Sequence, residues 1–355
     1  MDMQRIMNYN KKIVLEDGSE YFGYGFGYDC ERVCELVFNT AMLGYQEIIS
    51  DPTYTYQAVV MTYPLIGNCG TADDDFETKV PTLGGLVVRE YNDIPSNFRA
   101  TKTLAEVMED YKIPGISGLD TRELTRKIRD NGTCKVLFTS IDTPNEKALE
   151  ILSSTEIPTD AVSKVSCKKR WYSRTANMKY NVVAIDCGIK LSLIRTLNAR
   201  GCNITVVPYD TSAEEVMKMQ PDGIYISDGP GNPEDVQPVI DLVKTLKGKC
   251  PIIGVGLGNE IIGLAYGAKT YKLKFGHRSQ NQPVRRVGTT TCYITTQNHG
   301  YALDASTLPS DWEPMFENLN DGSNEGIRHK SKPFFSIQFQ PDGVEFLFDE
   351  FIKML

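Results

Sequence analysis

The feature that most constrains the fold is a strict alternation of short apolar runs and amphipathic segments that starts at Asn181. Apolar runs predict buried strands, and segments with helical spacing predict helices. Because strands joined through helices form right-handed crossovers, the alternation predicts a mostly parallel sheet flanked by helices, with ligands at the carboxyl ends of its strands. The predicted strands are 182–186, 203–207, 223–227 and 252–255, and the predicted helices are 189–199, 213–219 and 236–246.

The fourth of these strands leads into an unusual corner. Residues 251–260 read PIIGVGLGNE, which predicts a buried strand that turns sharply into a helix. Gly254 and Gly258 fit the frame of a nucleophile elbow, in which small neighbours let a strained backbone lift one side chain clear of the sheet. The residue between them is Gly256, which has no reactive atom but suits a left-handed backbone. The sequence therefore predicts an elbow without a nucleophile.

The first half of the chain lacks the strand–helix rhythm and predicts an α+β domain. Residues 12–27 alternate around a turn at Asp17-Gly18, which predicts a hairpin. A helix is predicted after Asp142, with Thr143 as its cap, Pro144 at the first helical position and Glu146 completing a capping box. Further strands are predicted at 34–39, 57–62 and 83–89, and further helices at 102–111 and 121–130.

The polar stretch 153–179 carries Pro158 and has weak periodicity, which indicates a linker. The predicted organisation is therefore an N-terminal domain at 1–152, a linker at 153–179 and a C-terminal α/β domain at 180–355. The last helix is predicted from Gly343, with an apolar face that includes Val344 and Leu355.

Composition excludes several classes of function. The net charge of −8 disfavours binding to nucleic acid or to an anionic membrane. No apolar run approaches the roughly 18 residues of a membrane span, and residues 1–18 contain no leader-like apolar region. The nine cysteines form no CxxC pair, which predicts reduced thiols in a cytoplasmic protein and argues against zinc. No phosphate-binding loop of the P-loop type is present, so any nucleotide is expected to belong to a partner. Neither a metal nor a cofactor is expected in this chain.

Longer motifs point to a known family. The second half contains a Gly-Pro-Gly loop at 228–233, the elbow, Gln297-Asn-His-Gly-Tyr301 and Phe335-Ser-Ile-Gln-Phe-Gln-Pro-Asp342. In this order the segments resemble the class I glutamine amidotransferase domain. The whole chain resembles the carbamoyl-phosphate synthase small chain, through 186–190 and 275–283 and through first-half motifs that other amidotransferases lack. These first-half motifs are 38–47, 63–68, 95–99 and 120–126.

The resemblance implies a glutaminase that passes ammonia to a large ATP-using chain, with a cysteine, a histidine and a glutamate as its triad. The corresponding positions here are Gly256, Gln340 and Asp342, so none of the three catalytic residues is intact. A substitute nucleophile at Cys187 or Cys250 is not expected, because neither cysteine lies at the elbow. The two histidines outside the 297–301 segment, His277 and His329, are expected to be structural or surface residues.

The resemblance also assigns a glutamine pocket. Leu257 keeps the position whose N–H contributes to the oxyanion hole. Glu260 replaces a substrate-binding glutamine, and its carboxylate is expected to repel the substrate carboxylate or to require a cation. The other positions that the resemblance assigns to the pocket are Thr53, Gly229, Gly231, Asn298, Gly300 and Tyr301.

Three functions remain open from the sequence. The first is a small chain that hydrolyses no glutamine and supports a large chain that uses free ammonia to make carbamoyl phosphate for arginine or pyrimidine synthesis. The second is an active glutamine-hydrolysing small chain in the same heteromer. The third is a stand-alone pseudo-enzyme that binds glutamine or a related metabolite as a regulator.

Overall fold

The computed structural model describes residues 9–355, which divide into two compact units between Pro158 and Thr159. Residues 1–8 lie outside the described range. They include the first part of segment 1–18, for which no leader is predicted. The C-terminal unit includes much of the stretch predicted as a linker, because Ala161–Val165 forms a helix and Trp171–Ser173 forms a strand of its sheet.

The N-terminal unit is an α+β structure built on a barrel. Its strands are β1 (Lys11–Leu15), β2 (Glu20–Gly27), β3 (Arg32–Asn39), β4 (Gln57–Met61), β5 (Leu65–Ile66), β6 (Gly85–Val87), β7 (Glu90–Tyr91), β8 (Pro114–Ser117) and β9 (Cys134–Ser140). Its helices within residues 9–158 are α1 (Tyr45–Ser50), α2 (Leu104–Asp110), α3 (Thr121–Asn131) and α4 (Asn145–Ser154). The barrel closes in the order β1-β2-β8-β6-β4-β3-β9, and β5 pairs with β7.

Local sequence signals explain most of these elements. The predicted hairpin is confirmed by the antiparallel pairing of β1 with β2, and Gly18 takes a positive φ of 82° in its turn. Helix α2 begins with a complete capping box between Thr103 and Glu106. The prediction that Thr143 caps α4 is wrong, because Pro144 occupies the N-cap position without a side-chain bond. The Thr143 hydroxyl instead makes a 2.7 Å hydrogen bond with the hydroxyl of Thr139.

The C-terminal unit contains the predicted strand–helix alternation, followed by an antiparallel extension. Its strands are β10 (Trp171–Ser173), β11 (Tyr180–Asp186), β12 (Cys202–Pro208), β13 (Gly223–Ile226), β14 (Ile252–Val255), β15 (Lys269–Arg286), β16 (Cys292–Asp304), β17 (Trp312–Asn318), β18 (Asn324–His329) and β19 (Phe334–Ile337). Its helices within residues 159–355 are α5 (Ala161–Val165), α6 (Leu191–Ala199), α7 (Ala213–Lys218), α8 (Gln237–Leu246), α9 (Leu257–Tyr266) and α10 (Phe346–Ile352).

These strands form one mixed sheet in the order β10-β12-β11-β13-β14-β19-β18-β17-β15-β16. The pairs from β12 to β19 are parallel, and the remaining pairs are antiparallel. Alternate residues of β11 face opposite sides. Val183 and Ile185 join the apolar core that contains Val239 of α8, and Val182 joins the core that contains Leu347 of α10. Apolar helices therefore cover both faces of the parallel strands.

The final helix starts later than predicted. Gly343 has a positive φ of 80°, a left-handed conformation that does not continue a helix, and α10 begins at Phe346. The inward face is otherwise as expected, since Leu347, Phe348 and Phe351 are buried. None of the helices in residues 9–355 combines the length and the apolar character that a membrane-spanning helix needs.

Candidate functional site

The predicted elbow is present between β14 and α9. Gly256 has φ 56° and ψ −117°, a conformation that side chains disfavour, and its N–H donates to the carbonyl of Ile337 at 2.9 Å. A Cβ on Gly254 would collide with the carbonyl of Gly258, and a Cβ on Gly258 would collide with the carbonyl of Ile226. Gly254 and Gly258 are therefore required by the close approach of β13, β14 and α9, and the backbone conformation at Gly256 favours glycine there.

A carboxylate fills the space in front of the elbow. Asp228, which follows β13 by two residues, is buried, and its Oδ1 accepts hydrogen bonds from the N–H of Gly229 at 2.8 Å and of Leu257 at 3.1 Å. A Cβ added to Gly256 would overlap this carboxylate. The Asp228 carboxylate thus lies where the side chain of an elbow nucleophile would start, and it uses the N–H that the resemblance assigns to the oxyanion hole.

The other oxygen of Asp228 connects the elbow to the end of the sheet. Oδ2 accepts a 2.6 Å hydrogen bond from Nε2 of Gln340, and Nζ of the buried Lys190 lies 3.7 Å away. The Gln340 N–H donates to the carbonyl of Thr296 on β16 at 2.8 Å. Asp228 therefore links the N–H of Leu257, directly after Gly256, to Gln340; the resemblance assigns both Gly256 and Gln340 to its triad. The third triad position, Asp342, is exposed.

Glu260 is buried on the first turn of α9. Burial, followed by the negative charges of Asp228 and Glu325, raises the pKa of the Glu260 carboxyl well above its usual value. Its Oε1 accepts from Nε2 of Gln338 at 2.9 Å. Because the raised pKa favours the neutral acid, the charge repulsion expected between Glu260 and a substrate carboxylate is weakened.

Glu260 belongs to a chain of buried side-chain hydrogen bonds. The hydroxyl of Ser336 donates to Oδ1 of Asn259 at 2.7 Å, and Nδ2 of Asn259 donates to Oε1 of Gln338 at 2.7 Å. Gln338 then donates to Glu260. This chain ties the start of α9 to β19, so it supports the elbow from the side opposite to Asp228's loop.

The remaining predicted pocket residues lie in three places. Asn298, Gly300 and Tyr301 share β16, where Asn298 pairs with Arg278 of the neighbouring β15. Gly231 lies in the loop after β13 with a φ of 89°. Thr53 is in the N-terminal unit, in a short 3₁₀ turn where its hydroxyl donates to Oδ1 of Asp51 at 2.7 Å. The role of these residues in binding glutamine stays a prediction.

Neither candidate substitute nucleophile is activated. The Cys187 thiol is fully buried, and burial with the negative charges of Asp186 and Asp228 raises its pKa well above the usual value. Burial raises the pKa of Cys250 to about 11. A thiol with a raised pKa carries little of the reactive thiolate near neutral pH. Burial also lowers the pKa of His299 well below its usual value, and the ring of His299 contacts Tyr301 and Gln297.

Sequence reasoning missed the residue that dominates the corner. Asp228 opens the quoted 228–233 loop and Lys190 closes the 186–190 motif, so both segments were singled out, but neither side chain was given a role. A carboxylate directly before the loop glycines was the available signal. Its meaning depends on a distance to Gly256 that the sequence does not contain.

Comparison with known proteins agrees with this architecture. Residues 183–354 match the family described as Glutamine amidotransferase class-I, and residues 13–138 match the one described as Carbamoyl-phosphate synthase small chain, CPSase domain. A carbamoyl phosphate synthase small chain of Staphylococcus saprophyticus is 49% identical over 350 residues, which cover 97% of this chain and 95% of the relative. The chain belongs to the carbamoyl-phosphate synthase small-chain family.

Two further relatives also match this chain over nearly its whole length. A small chain of Fusobacterium nucleatum is 48% identical over 97% of this chain and 98% of its own length. A pyrimidine-specific small chain of Halalkalibacterium halodurans is 46% identical, with 97% of each chain covered. Family membership therefore extends through both units, including the N-terminal one.

Proposed function

We propose that this protein is a carbamoyl-phosphate synthase small chain that does not hydrolyse glutamine and serves as a supporting subunit for a large chain that uses free ammonia. The observation that carries the proposal is the Asp228 carboxylate, which occupies the nucleophile's place against Gly256 and accepts from the N–H of Leu257. The elbow thus lacks a nucleophile, and the Asp228 carboxylate fills the space where one would lie.

The chemistry of amide hydrolysis explains why this arrangement is inactive. Attack on the amide needs a nucleophile and a base, but Gly256 has no side chain and the Gln340 amide does not titrate near neutral pH. Loss of one triad member costs on the order of 10⁴- to 10⁶-fold in rate. The developing oxyanion also needs the Leu257 N–H, and it would be repelled by the Asp228 carboxylate that already accepts from that group.

A supporting role fits the N-terminal unit. Met42 and Leu43 lie in the 38–47 motif that resembles the family's N-terminal domain, and they are 70% and 74% exposed. Exposed apolar side chains close together on an otherwise polar surface are typical of contacts with a partner. The proposed partner is the synthetase large chain, which would supply the ATP chemistry for carbamoyl phosphate in arginine or pyrimidine synthesis.

The test is a glutaminase assay on the purified chain, alone and with a carbamoyl-phosphate synthase large chain, beside the Staphylococcus saprophyticus relative. We expect glutamate formation at least about 10⁴-fold below that of the relative. We also expect that the large chain makes carbamoyl phosphate from ammonium in the complex, and that glutamine does not replace ammonium. Glutamate formation at the relative's rate would overturn the proposal in favour of an active glutaminase.

Two further measurements separate the remaining alternatives. Co-purification with the large chain tests the partner, and failure to bind it would favour a stand-alone regulatory protein. A variant that combines Gly256→Cys, Asp228→Ala, Gln340→His and Asp342→Glu introduces the triad residues and removes the blocking carboxylate. Glutamate formation by this variant, with none by the matched variant that carries the other three changes and keeps Asp228, would support the blocked-site explanation.

A further inference from the structure

A second buried polar cluster lies in the antiparallel part of the C-terminal sheet. His277 of β15 and His299 of β16 are cross-strand neighbours, with ring centroids 4.9 Å apart in an edge-to-face arrangement. Glu325 of β18 is fully buried beside them. One nitrogen of each imidazole and one oxygen of the carboxylate all lie within 4.8 Å of one another.

The separations in this histidine cluster are close to those of a tetrahedral metal site. Nδ1 of His277 is 3.3 Å from Oε1 of Glu325, and Nε2 of His299 is 3.9 Å from the same oxygen. Oε1 of Gln297 lies 3.2 Å from Nε2 of His299. Ligand atoms around a zinc ion bound at 2.0–2.1 Å are about 3.3 Å apart, so binding requires closure of the His299–Glu325 gap and of the gap between the two imidazole nitrogens, which lie within 4.8 Å of each other.

Hydrogen bonding around His299 leaves one contact unsatisfied. Nδ1 faces the carbonyl oxygen of Tyr301 at 2.7 Å, and Nε2 faces Oε1 of Gln297. The orientation of the Gln297 amide is fixed, because its Nε2 donates to Oε2 of Glu325 at 2.9 Å and a flipped amide would turn its oxygen against that carboxylate. A neutral imidazole has one N–H for two facing acceptors. One buried lone pair of His299 therefore faces another lone pair.

A bound cation resolves the arrangement of acceptors around a neutral His299. A cation at Nε2 removes the conflict, since Nδ1–H then donates to Tyr301 and Oε1 of Gln297 gains a positive partner. Facing lone pairs in a buried cluster are thus an observation, independent of the ligand spacing, that points to a bound cation.

The outer contacts of both histidines match those of metal ligands. A ligating imidazole usually donates its other N–H to a carboxylate or a backbone carbonyl. Nε2 of His277 lies 2.9 Å from Oδ2 of Asp321, and Nδ1 of His299 lies against the carbonyl of Tyr301. Each ring therefore has one nitrogen held by an outer partner and the other directed into the cluster.

We propose that His277, His299 and Glu325 bind a divalent transition-metal ion of the zinc type, with Oε1 of Gln297 available as a fourth ligand. Imidazole with carboxylate is a donor set that suits zinc. Burial of the three side chains favours a structural ion rather than a catalytic one. The ion would join β15, β16 and β18, and would fix His299 between Asn298 and Gly300, which the resemblance assigns to the glutamine pocket. This proposal does not depend on the proposed function.

The test uses the full chain without a histidine tag, refolded with Zn²⁺ or with a chelator because the site is buried. We expect about one zinc per chain by mass spectrometry. At a hundredfold excess over Kd, zinc should raise Tm by roughly 5–10 °C. His299→Asn and Glu325→Gln should lose the bound zinc and the Tm shift, whereas His329→Asn, which changes the remaining histidine, should keep both. Absence of stoichiometric zinc, or its retention in His299→Asn, would overturn the proposal.

Two measurements keep the proposal testable if those variants do not fold. Asp321→Asn alters a half-exposed outer partner and should weaken zinc binding about 10- to 100-fold. The Co²⁺-substituted parent protein should show nitrogen and oxygen ligation in its electronic spectrum. A thiolate-to-cobalt band would instead assign the ion to one of the nine free cysteines and would contradict the proposed ligands.

Discussion

The elbow and the histidine cluster are two buried polar sites in the same sheet, and they differ in how completely their polar atoms are paired. At the elbow, both oxygens of Asp228 accept hydrogen bonds, from Gly229, Leu257 and Gln340, and an ammonium lies nearby. In the histidine cluster, both oxygens of Glu325 also accept hydrogen bonds, from Asn318 and Gln297, but a neutral His299 leaves one of its two nitrogens facing an acceptor without a proton between them. A buried site with paired acceptors is closed to new ligands, whereas an unpaired one favours a cation.

The two sites also differ in whether the backbone or the side chains could support chemistry. The elbow has the backbone of a nucleophile elbow, with Gly256 at a positive φ of 56°, but Gly256 presents no side chain. The histidine cluster keeps chemically capable side chains on ordinary strands. Retained backbone geometry is therefore weak evidence of activity, and the pairing of the side chains is the more informative observation.

The largest expected effect comes from removing the carboxylate that closes the elbow. Asp228→Ala leaves the N–H groups of Gly229 and Leu257 without their acceptor and Lys190 without its nearby charge. The loss of a buried charged partner should reduce the free energy of unfolding by about 3–5 kcal/mol. Chemical denaturation measures this change.

Asp228→Asn is the matched control, because it keeps the size and one acceptor oxygen but loses the charge and the second acceptor, which receives a hydrogen bond from Gln340 in the parent. It should cost clearly less than Asp228→Ala. A change of up to about 0.5 kcal/mol in the free energy of unfolding is typical of surface substitutions. If both variants lie within that range of the parent, Asp228 does not hold the corner closed.

Restoring the cysteine alone should also be strongly destabilising. Gly256→Cys places a Cβ against the Asp228 carboxylate and imposes a positive φ on a residue with a side chain. Overpacking and backbone strain together predict a loss of roughly 2–5 kcal/mol. In an Asp228→Ala background the collision is absent, so a double-mutant cycle should show a coupling of about 1–3 kcal/mol. Additive losses would mean that the two residues do not compete for the same space.

A third prediction concerns the pH dependence of the elbow. Folding raises the pKa of Glu260, whose neighbouring charges are Asp228 and Glu325, so the folded chain holds this proton more tightly than the unfolded chain does. Stability must then fall as pH rises from the unfolded pKa of about 4.3 through the folded pKa. Glu260→Gln keeps the acceptor for Gln338 and has no proton to lose.

The Glu260→Gln variant should therefore gain Tm relative to the parent, by several degrees at pH 8 and by much less at pH 5. Thermal unfolding at the two pH values measures the gain, and the exposed Glu109→Gln is the control, for which the difference between the two pH values should stay small. An equal gain at both pH values would show that the effect is unrelated to the proton on Glu260.

The smallest expected effect lies in the hydrogen-bond chain behind the elbow. Ser336→Ala removes the donor to Asn259 and should cost about 1 kcal/mol, the usual contribution of one hydrogen bond. The contacts of Asp228 at the elbow do not depend on the Ser336–Asn259 hydrogen bond, so glutamate formation should stay at the parent's level. A loss above about 3 kcal/mol would show that the chain from Ser336 to Glu260 acts as one cooperative unit.

Much of the fold could be predicted from the sequence because local signals and the final structure agree. The apolar runs from 182 to 255 became the parallel strands, and Thr103 and Ser212 both start helices through capping boxes. The errors came where tertiary contacts outweighed local preference. Thr143 bonds with Thr139 across a turn instead of capping α4, and Gly343 delays α10.

The sequence by itself determined the strand–helix order, the elbow frame around Gly256 and the absence of a reactive side chain at its centre. Only the tertiary structure decided what occupies that space, because Asp228 lies 29 residues from Leu257 and 112 from Gln340 along the chain. It also decided that His277, His299 and Glu325 meet, since they lie on three strands whose register sets which side chains face one another. Charges and lone pairs interact over a few ångströms of space, and a distance along the chain does not report that separation.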